Sequence, residues 1–288
     1  MITTAGERSF RFVNYVLMAA FACMMIFPLL HVLAQSLSSN LAINAGRVTL
    51  WPVDFTWSNY AVILKDASVW RAFKVSVFIT IFGTLLNLVA TASLAYPLSR
   101  PEYAGRKYVL LMILVTLIFH APLIPNYLLI KNLHLLDTVW ALMFPAMISA
   151  FNLFVMRSFF MNIPAELIDC GRMDGCSELR IVWSVVLPLS KPAMATMGLF
   201  YAVSHWNAYS NALFFINDRT LYPLQVRLRE IVISDYFGSS NSFDVAGTMS
   251  PEGVKMAIIA VSSLPIMMIY PFLQRHFIQG MMVGSIKS

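Results

Sequence analysis

Residues 164–192 read PAELIDCGRMDGCSELRIVWSVVLPLSKP. They form a polar, charge-bearing island in a chain built mostly of long apolar runs. Pro164 suits the first turn of a helix, where a missing N–H costs nothing. Glu166 and Asp169 stand early in that helix, where the dipole favours acids. Gly175 is placed as a left-handed C-cap, because glycine reaches positive φ without a Cβ penalty. Ser177 and Glu178 then start a second helix. Leu179, Val182, Trp183 and Val186 fall at i, i+3, i+4, i+7, one apolar stripe. Pro188 and Pro192 interrupt the backbone ladder before the next apolar run. The expectation is a helix–turn–helix along a membrane surface, its stripe on the bundle and its polar face toward the cytoplasm. By pattern alone, the same residues also describe a plain interfacial loop joining two spans.

The flanking sequence decides what kind of molecule carries this island. Of 288 residues, 59% are hydrophobic and only 12% are charged, with a mean hydropathy of +0.71. Soluble domains carry about 25% charged residues. The deficit falls in long blocks without formal charge, so the chain reads as an integral membrane protein. The net charge of +6 comes from residues scattered singly at the ends of apolar runs, which is an orientation signal rather than a nucleic-acid surface. Cys23, Cys170 and Cys176 match no common zinc or redox spacing and read as free thiols.

Six apolar runs follow, at about 12–37, 72–98, 108–130, 139–160, 193–216 and 255–277. Each reaches the roughly 20 residues that a helix needs to cross the bilayer. The first is longer than a signal-peptide core and reads as an uncleaved anchor. Pro28 is placed to kink it, while Pro122, Pro125 and Pro145 interrupt the third and fourth runs. The island belongs to a connecting loop, 161–192, and two long polar loops occupy 38–71 and 217–254. Trp51, Trp57 and Tyr60 in the first of these suit a membrane–water interface. No internal repeat is present, so a single all-α membrane domain over 1–288 is the simplest architecture. Six spans put both termini on one side. Arg8 and Arg11 with the cluster Arg100, Arg106 and Lys107 favour the cytoplasm, although eleven Lys and Arg inside against nine outside is a weak bias.

Asp169-Cys170-Gly171, Gly175 and Val185-Val186-Leu187-Pro188 resemble, in their spacing, the EAA loop of permease subunits of binding-protein-dependent ABC importers. In that motif a Glu-Ala-Ala triplet is followed three residues later by a glycine, and after nine more by Ile-x-Leu-Pro. Here Asp replaces Glu, and Cys and Gly replace the alanines. The likeness extends along nearly the whole chain, through TLWP…NY (49–60), HWNAYSNALFFI (205–216) and the tail GMMVGSIK (280–287). It points to the smaller permease subunit of carbohydrate importers, in the branch handling oligosaccharides and polysaccharide fragments, including acidic ones. The resemblance implies a type I importer permease fold of six transmembrane helices in a bacterial inner membrane, with a cytoplasmic coupling helix-turn-helix. It implies a second, homologous permease, two cytoplasmic ATPases that bind ATP and Mg, and an extracytoplasmic solute-binding protein. Glu166, Asp169, Gly171, Asp174, Gly175, Leu187 and Pro188 are the residues it assigns to coupling. No glycine here is followed directly by lysine, so the sequence holds no phosphate-binding loop and the energy must come from a partner.

Polar residues inside hydrocarbon face a bundle interior or a wet cavity. His205, Asn207, Tyr209 and Asn211 in the fifth run are therefore candidates for a sugar pathway, or equally for interhelical hydrogen bonding. His31 and His120 read as packing residues first. Five histidines without a close carboxylate argue against a metal site, and no nucleophile set stands at catalytic spacing, so the reading is a transport subunit without cofactor. Arg219, Arg227 and Arg229 in the long loop are candidates for contact with the binding protein or an acidic sugar, against plain solvated charge. An ion-coupled secondary carrier is the second reading. It is disfavoured because the spans lack Asp and Glu and the halves do not repeat. A membrane scaffold without transport is the third.

Overall fold

The computed structural model of the chain describes residues 5–119, 121–145, 147–233 and 251–285, with side chains described as far as Ile269. His120 and most of the second half of the long loop lie outside the described residues. The helices are α1 (Ala5–Ser36), α2 (Asn40–Asn44), α3 (Ser58–Lys65), α4 (Ala67–Ser99), α5 (Arg106–Ile118), α6 (Leu123–Asn132), α7 (Trp140–Met143), α8 (Ala150–Met161), α9 (Ala165–Met173) and α10 (Glu178–Ile181). A π turn, Val182–Val186, leads to α11 (Leu187–Leu189) and α12 (Lys191–Trp206). Then come α13 (Ser210–Phe215), a 3₁₀ turn at Arg219–Leu221, α14 (Leu224–Ile233) and α15 (Pro251–Ser285). No strand occurs among the described residues.

Among the described residues three helices are long and apolar enough to cross a membrane unaided: α1, α4 and α15. A fourth crossing results if the bent pair α5 and α6 is counted as one. The third, fourth and fifth apolar runs are each divided between two helices, and their composition explains the divisions. Pro122 caps α6 without an N–H to offer, and Pro145 follows the end of α7. Asn207 caps the C-terminus of α12, and three residues separate α12 from α13.

The chain divides into two compact units. The first takes residues 1–69 and 228–264. Its central device is the capping of α1 by the loop that follows. Asn59 Nδ2 donates to the carbonyls of Ser36 (3.0 Å) and Ser38 (3.3 Å), and the Tyr60 hydroxyl lies 2.8 Å from Ser36 Oγ. The Asn59 amide thereby satisfies the Ser36 carbonyl, one of the acceptors that a helix C-terminus leaves open. Tyr60 therefore makes a structural hydrogen bond in addition to suiting an interface. A side chain on Gly253 would meet Asn59 within 3 Å, so α15 begins with a residue small enough to admit it. His31 is held as a packing residue, with Nδ1 2.6 Å from the Thr49 carbonyl and Nε2 3.0 Å from Gln35.

The second unit takes 70–227 and 265–288. One of its cores joins the C-terminal half of α4 to α8, α9, α10 and α12 through Ala95, Leu98, Met156, Phe160, Ile168, Ile181 and Met197. Another joins the first half of α4 to α7 and α13 through Ile79, Leu142, Met143, Ala212 and Ile216. Between these cores α4 and α12 share buried polar contacts. Asn87 Nδ2 lies 3.1 Å from His205 Nε2, and Thr91 Oγ1 lies 2.7 Å from the Tyr201 hydroxyl. Tyr201 also accepts the Ser149 N–H at 3.1 Å, which satisfies a non-helical amide at the start of α8.

Two arginines exchange caps at the other end. Arg157 of α8 donates to the Leu98 carbonyl in the last turn of α4 (2.8 Å), and Arg100 donates to the Phe160 carbonyl in the last turn of α8 (2.7 Å). Cations at helix C-termini are favoured by the dipole as well as by the hydrogen bond.

The approach of α12 to α4 depends on Gly83. A Cβ there would stand 2.7–2.9 Å from three atoms of the His205 ring, which is buried and anchored on Asn87. Gly83→Val is expected to destabilise the subunit by about 1–3 kcal/mol, the usual cost of overpacking. His205→Ala in the same chain should recover much of that loss. Thermal unfolding of the purified protein in detergent, comparing the two single variants and the double, checks this.

Candidate functional site

The helix–turn–helix expected at 164–192 is present, and its turn is made as the residues dictate. Asp174 caps α9, and Gly175 follows with φ +74°. The Gly175 N–H donates to the Arg172 carbonyl and the Cys176 N–H to the Gly171 carbonyl, both at 3.0 Å. That pair of bonds is a Schellman motif with glycine at its left-handed position. Ser177 caps α10 by accepting the Arg180 N–H at 3.4 Å.

Two details depart from the sequence pattern. The stripe of four does not bury as a set. Val186 is buried and Val182 half-buried, but Leu179 is 74% exposed and Trp183 69% exposed. The residues that enter the core are Ile181, Val182, Val185 and Val186, a neighbouring face of the same segment, in which residues 182–186 form a π turn with i→i+5 bonding. The second departure lies at the proline. Pro188 does not end the helix: the Leu187 N–H reaches back to the Val182 carbonyl, and helix continues through Leu189. In a regular helix the Pro188 ring would clash with the Ser184 carbonyl, and the widened turn makes room for it.

The seven residues singled out in this loop divide by burial. Glu166, Asp169, Asp174, Gly175 and Pro188 are exposed. Gly171 and Leu187 are half-buried, and they pack inward. A Cβ at Gly171 would stand 3.2 Å from Ile181 Cγ1, so this glycine sets the spacing of α9 and α10.

Arg172, which the motif does not mark, is the electrostatic centre of the loop. Its Nε donates to Glu178 Oε1 at 2.8 Å, and Nη1 lies 3.5 Å from Asp169 and 3.4 Å from Glu102. Glu178 accepts the Tyr96 hydroxyl on its other oxygen at 2.6 Å. The Tyr96 hydrogen bond, then Arg172, hold the Glu178 carboxyl below the usual glutamate range. Glu102 is also lowered, first by a hydrogen bond to its own backbone, with Arg172 adding to the effect. The Asp169–Arg172 pair was legible as an i, i+3 contact on one helix. Tyr96 and Glu102 lie 70 or more positions away, and no local signal marks them.

The remaining candidates are spread over other elements. His205 is buried against α4, whereas Asn207 and Asn211 are exposed and Tyr209 is half-buried. Arg219 is exposed in the 3₁₀ turn; on α14, Arg227 is half-buried and Arg229 exposed. Asp137, a residue that sequence reasoning missed, binds the turn after α6 to the segment before the 3₁₀ turn. Its carboxylate accepts the backbone N–H groups of Asn217 and Asp218 and the Asn217 side chain. Its pKa is lowered by those bonds, the Asn217 N–H first. Among the described residues no group of three His, Cys, Asp or Glu is placed to hold a metal ion. None of the three cysteines is in a disulfide.

This arrangement of bundle and loop has a match among known families. The model of the binding-protein-dependent transport system inner membrane component matches residues 70–283. The chain belongs to this family. It is a multi-pass membrane permease subunit of a transport system, and not an enzyme. Family membership implies an ATPase and a solute-binding protein as partners. The chain is 38% identical over 288 residues to Protein LplC of Bacillus subtilis (strain 168), covering 100% of this chain and 98% of that one. It is 38% identical over 284 residues to the polygalacturonan/rhamnogalacturonan transport system permease protein YtcP of the same organism, covering 98% and 99%. Among solved structures it is similar to a chain of a bacterial ABC transporter involved in the import of the acidic polysaccharide alginate. The TM-score is 0.90 and the identity 34%, over 96% of this chain and 99% of that one.

The carboxyl of Glu178 has a folded pKa below its unfolded value. Its contribution to stability is therefore present above the ordinary glutamate range and lost as pH falls through the lowered folded value. Glu178→Gln is expected to melt below the parent at pH 7, with the gap narrowing below about pH 4 as the parent's own carboxyl takes up its proton. Melting curves of both proteins at the two pH values test it; a gap that does not change with pH contradicts it.

Proposed function

We propose that this chain is the smaller permease subunit of an ATP-driven importer for oligosaccharides derived from acidic polysaccharides. It crosses the membrane six times, at α1, α4, α5–α6, α7–α8, α12–α13 and α15. Both termini and the 161–192 loop lie in the cytoplasm, and the whole of 1–288 acts as one permease domain. It pairs with a second, homologous permease and two ATPases, and an extracytoplasmic binding protein delivers the sugar.

The observation that carries this reading is the form of the 161–192 loop. Glu166, Asp169, Asp174 and Gly175 stand exposed around a rigid glycine turn, while Gly171, Ile181 and Leu187 anchor the same loop in the bundle core. A loop so built presents a fixed polar and acidic surface to a partner and carries displacement into the helices behind it. The absence of a phosphate-binding loop from the sequence supports a separate ATPase. The acidic substrate class is supported by the likeness to the polygalacturonan/rhamnogalacturonan and alginate systems and by the exposed cations Arg219 and Arg229. Within the pathway, Asn207 and Asn211 are the side chains available to sugar hydroxyls, and His205 acts by holding α12 on α4.

Gly175→Pro tests the coupling role. Proline cannot adopt φ +74° and has no N–H for the Arg172 carbonyl. The variant is expected to insert at the parent's level and to lose ATP-dependent uptake. Retained uptake would defeat the coupling reading. Isolating the whole complex, identifying the sugar on its binding protein and comparing uptake of oligogalacturonides with neutral oligosaccharides tests the substrate class. Solute movement by the chain alone under an ion gradient would instead favour a secondary carrier.

A further inference from the structure

The linkage running through Arg172 connects segments that no motif joins. Arg172 lies near the end of α9, Glu178 opens α10, and Tyr96 is in the last turn of α4. The strong contacts are Arg172 to Glu178 at 2.8 Å and Tyr96 to the other oxygen of Glu178 at 2.6 Å. Asp169 and Glu102 are held less tightly, at 3.5 and 3.4 Å. One carboxylate therefore bridges the helix–turn–helix to α4 with both of its oxygens occupied.

What Glu178 grips matters because of how the unit is built. α5–α6, α7–α8 and α12–α13 each change helix within the apolar run, whereas α4 continues unbroken for 33 residues. A displacement delivered to α4 is transmitted along a rod about 50 Å long, at about 1.5 Å per residue. A displacement delivered to α12 must first cross the π turn and the turn at Ser190. Apolar contacts of Ile168, Ile181 and Val186 also hold the loop to the bundle, so removing the polar link leaves the loop packed. Those contacts are non-directional. The hydrogen-bonded bridge is directional, and it fixes where α10 stands along α4.

We propose that Arg172 and Glu178 are positioning residues through which α4 follows the 161–192 loop, with the Tyr96 hydroxyl as the receiving contact. The proposal rests on the coupling role given to this loop above. Arg172 acts by fixing the Glu178 carboxylate on Tyr96, and the exposed Asp169 remains on the outer side of the loop.

The test uses the complete complex in proteoliposomes, with Tyr96→Phe, Glu178→Gln, Arg172→Ala, Arg172→Lys and the double Tyr96→Phe/Glu178→Gln. Three quantities are read: assembled complex, ATP hydrolysed and solute accumulated. Tyr96→Phe, Glu178→Gln and Arg172→Ala are expected to assemble as the parent does and to raise ATP consumed per solute by about fivefold or more. The double variant should be no worse than either of its single variants, since both cut the same link. Arg172→Lys should recover part of the loss, because it keeps the charge without the planar fork. Uptake and ATP hydrolysis falling together at a constant ratio would overturn the proposal, as would additive effects in the double variant. So would failure of Tyr96→Phe to assemble, which would make the hydroxyl a folding contact. If the parent complex shows no ATP-driven uptake, the importer reading itself fails, and this linkage with it.

Discussion

A backbone donor or acceptor left unpaired in hydrocarbon costs several kcal/mol, and there is no water to meet it. That constraint is met visibly at several helix ends of this protein. Asn59 covers the carbonyls at the end of α1. Arg157 and Arg100 cover the ends of α4 and α8 in exchange for one another. Tyr201 covers the amide at the start of α8, and the π turn before Pro188 reroutes the bonds that proline cannot make. At each of these places a side chain or a modified turn supplies a partner that the helix itself does not.

The same economy gives the helix–turn–helix its character. Its turn is closed by backbone bonds around Gly175, and its inner face is closed by apolar contact. The exposed acids and the exposed Leu179 and Trp183 are consequently available to something outside the chain. Arg172 joins its helix to the rest of its unit through Glu178 and Tyr96. Isolated surface ion pairs contribute about 0–1 kcal/mol each. The significance of this one lies in its geometry, since it fixes direction where apolar packing does not.

His205 illustrates how burial reassigns a residue. As a histidine in a membrane run with asparagines nearby, it qualified for a solute pathway and for interhelical bonding alike. Its ring is buried on Asn87 and over Gly83, where it joins α12 to α4. Asn207 and Asn211, on the same run, are the exposed members. One polar cluster in sequence thus divides into a buried and a surface part: His205 lies in the last turn of α12, Asn207 at its C-cap and Asn211 in α13.

Much of the architecture was determined by sequence alone, because it depends on local chemistry. Long uncharged runs require helices in lipid, glycine at 175 permits the left-handed turn, and Ser177 opens the next helix through its own hydroxyl. The i, i+3 contact of Asp169 and Arg172 was likewise within reach of one helix. The tertiary structure alone decided the contacts that span 70, 82 and 118 positions: Glu102 with Arg172, Tyr96 with Glu178, and Asn87 with His205. It also decided that three apolar runs are divided helices, and that Leu179 and Trp183 face outward, because which face of a short helix is buried depends on the elements packed against it. Periodicity and propensity act within a few turns of one helix. Which polar groups answer one another across the bundle depends on which helices meet, and no single stretch of this chain contains that information.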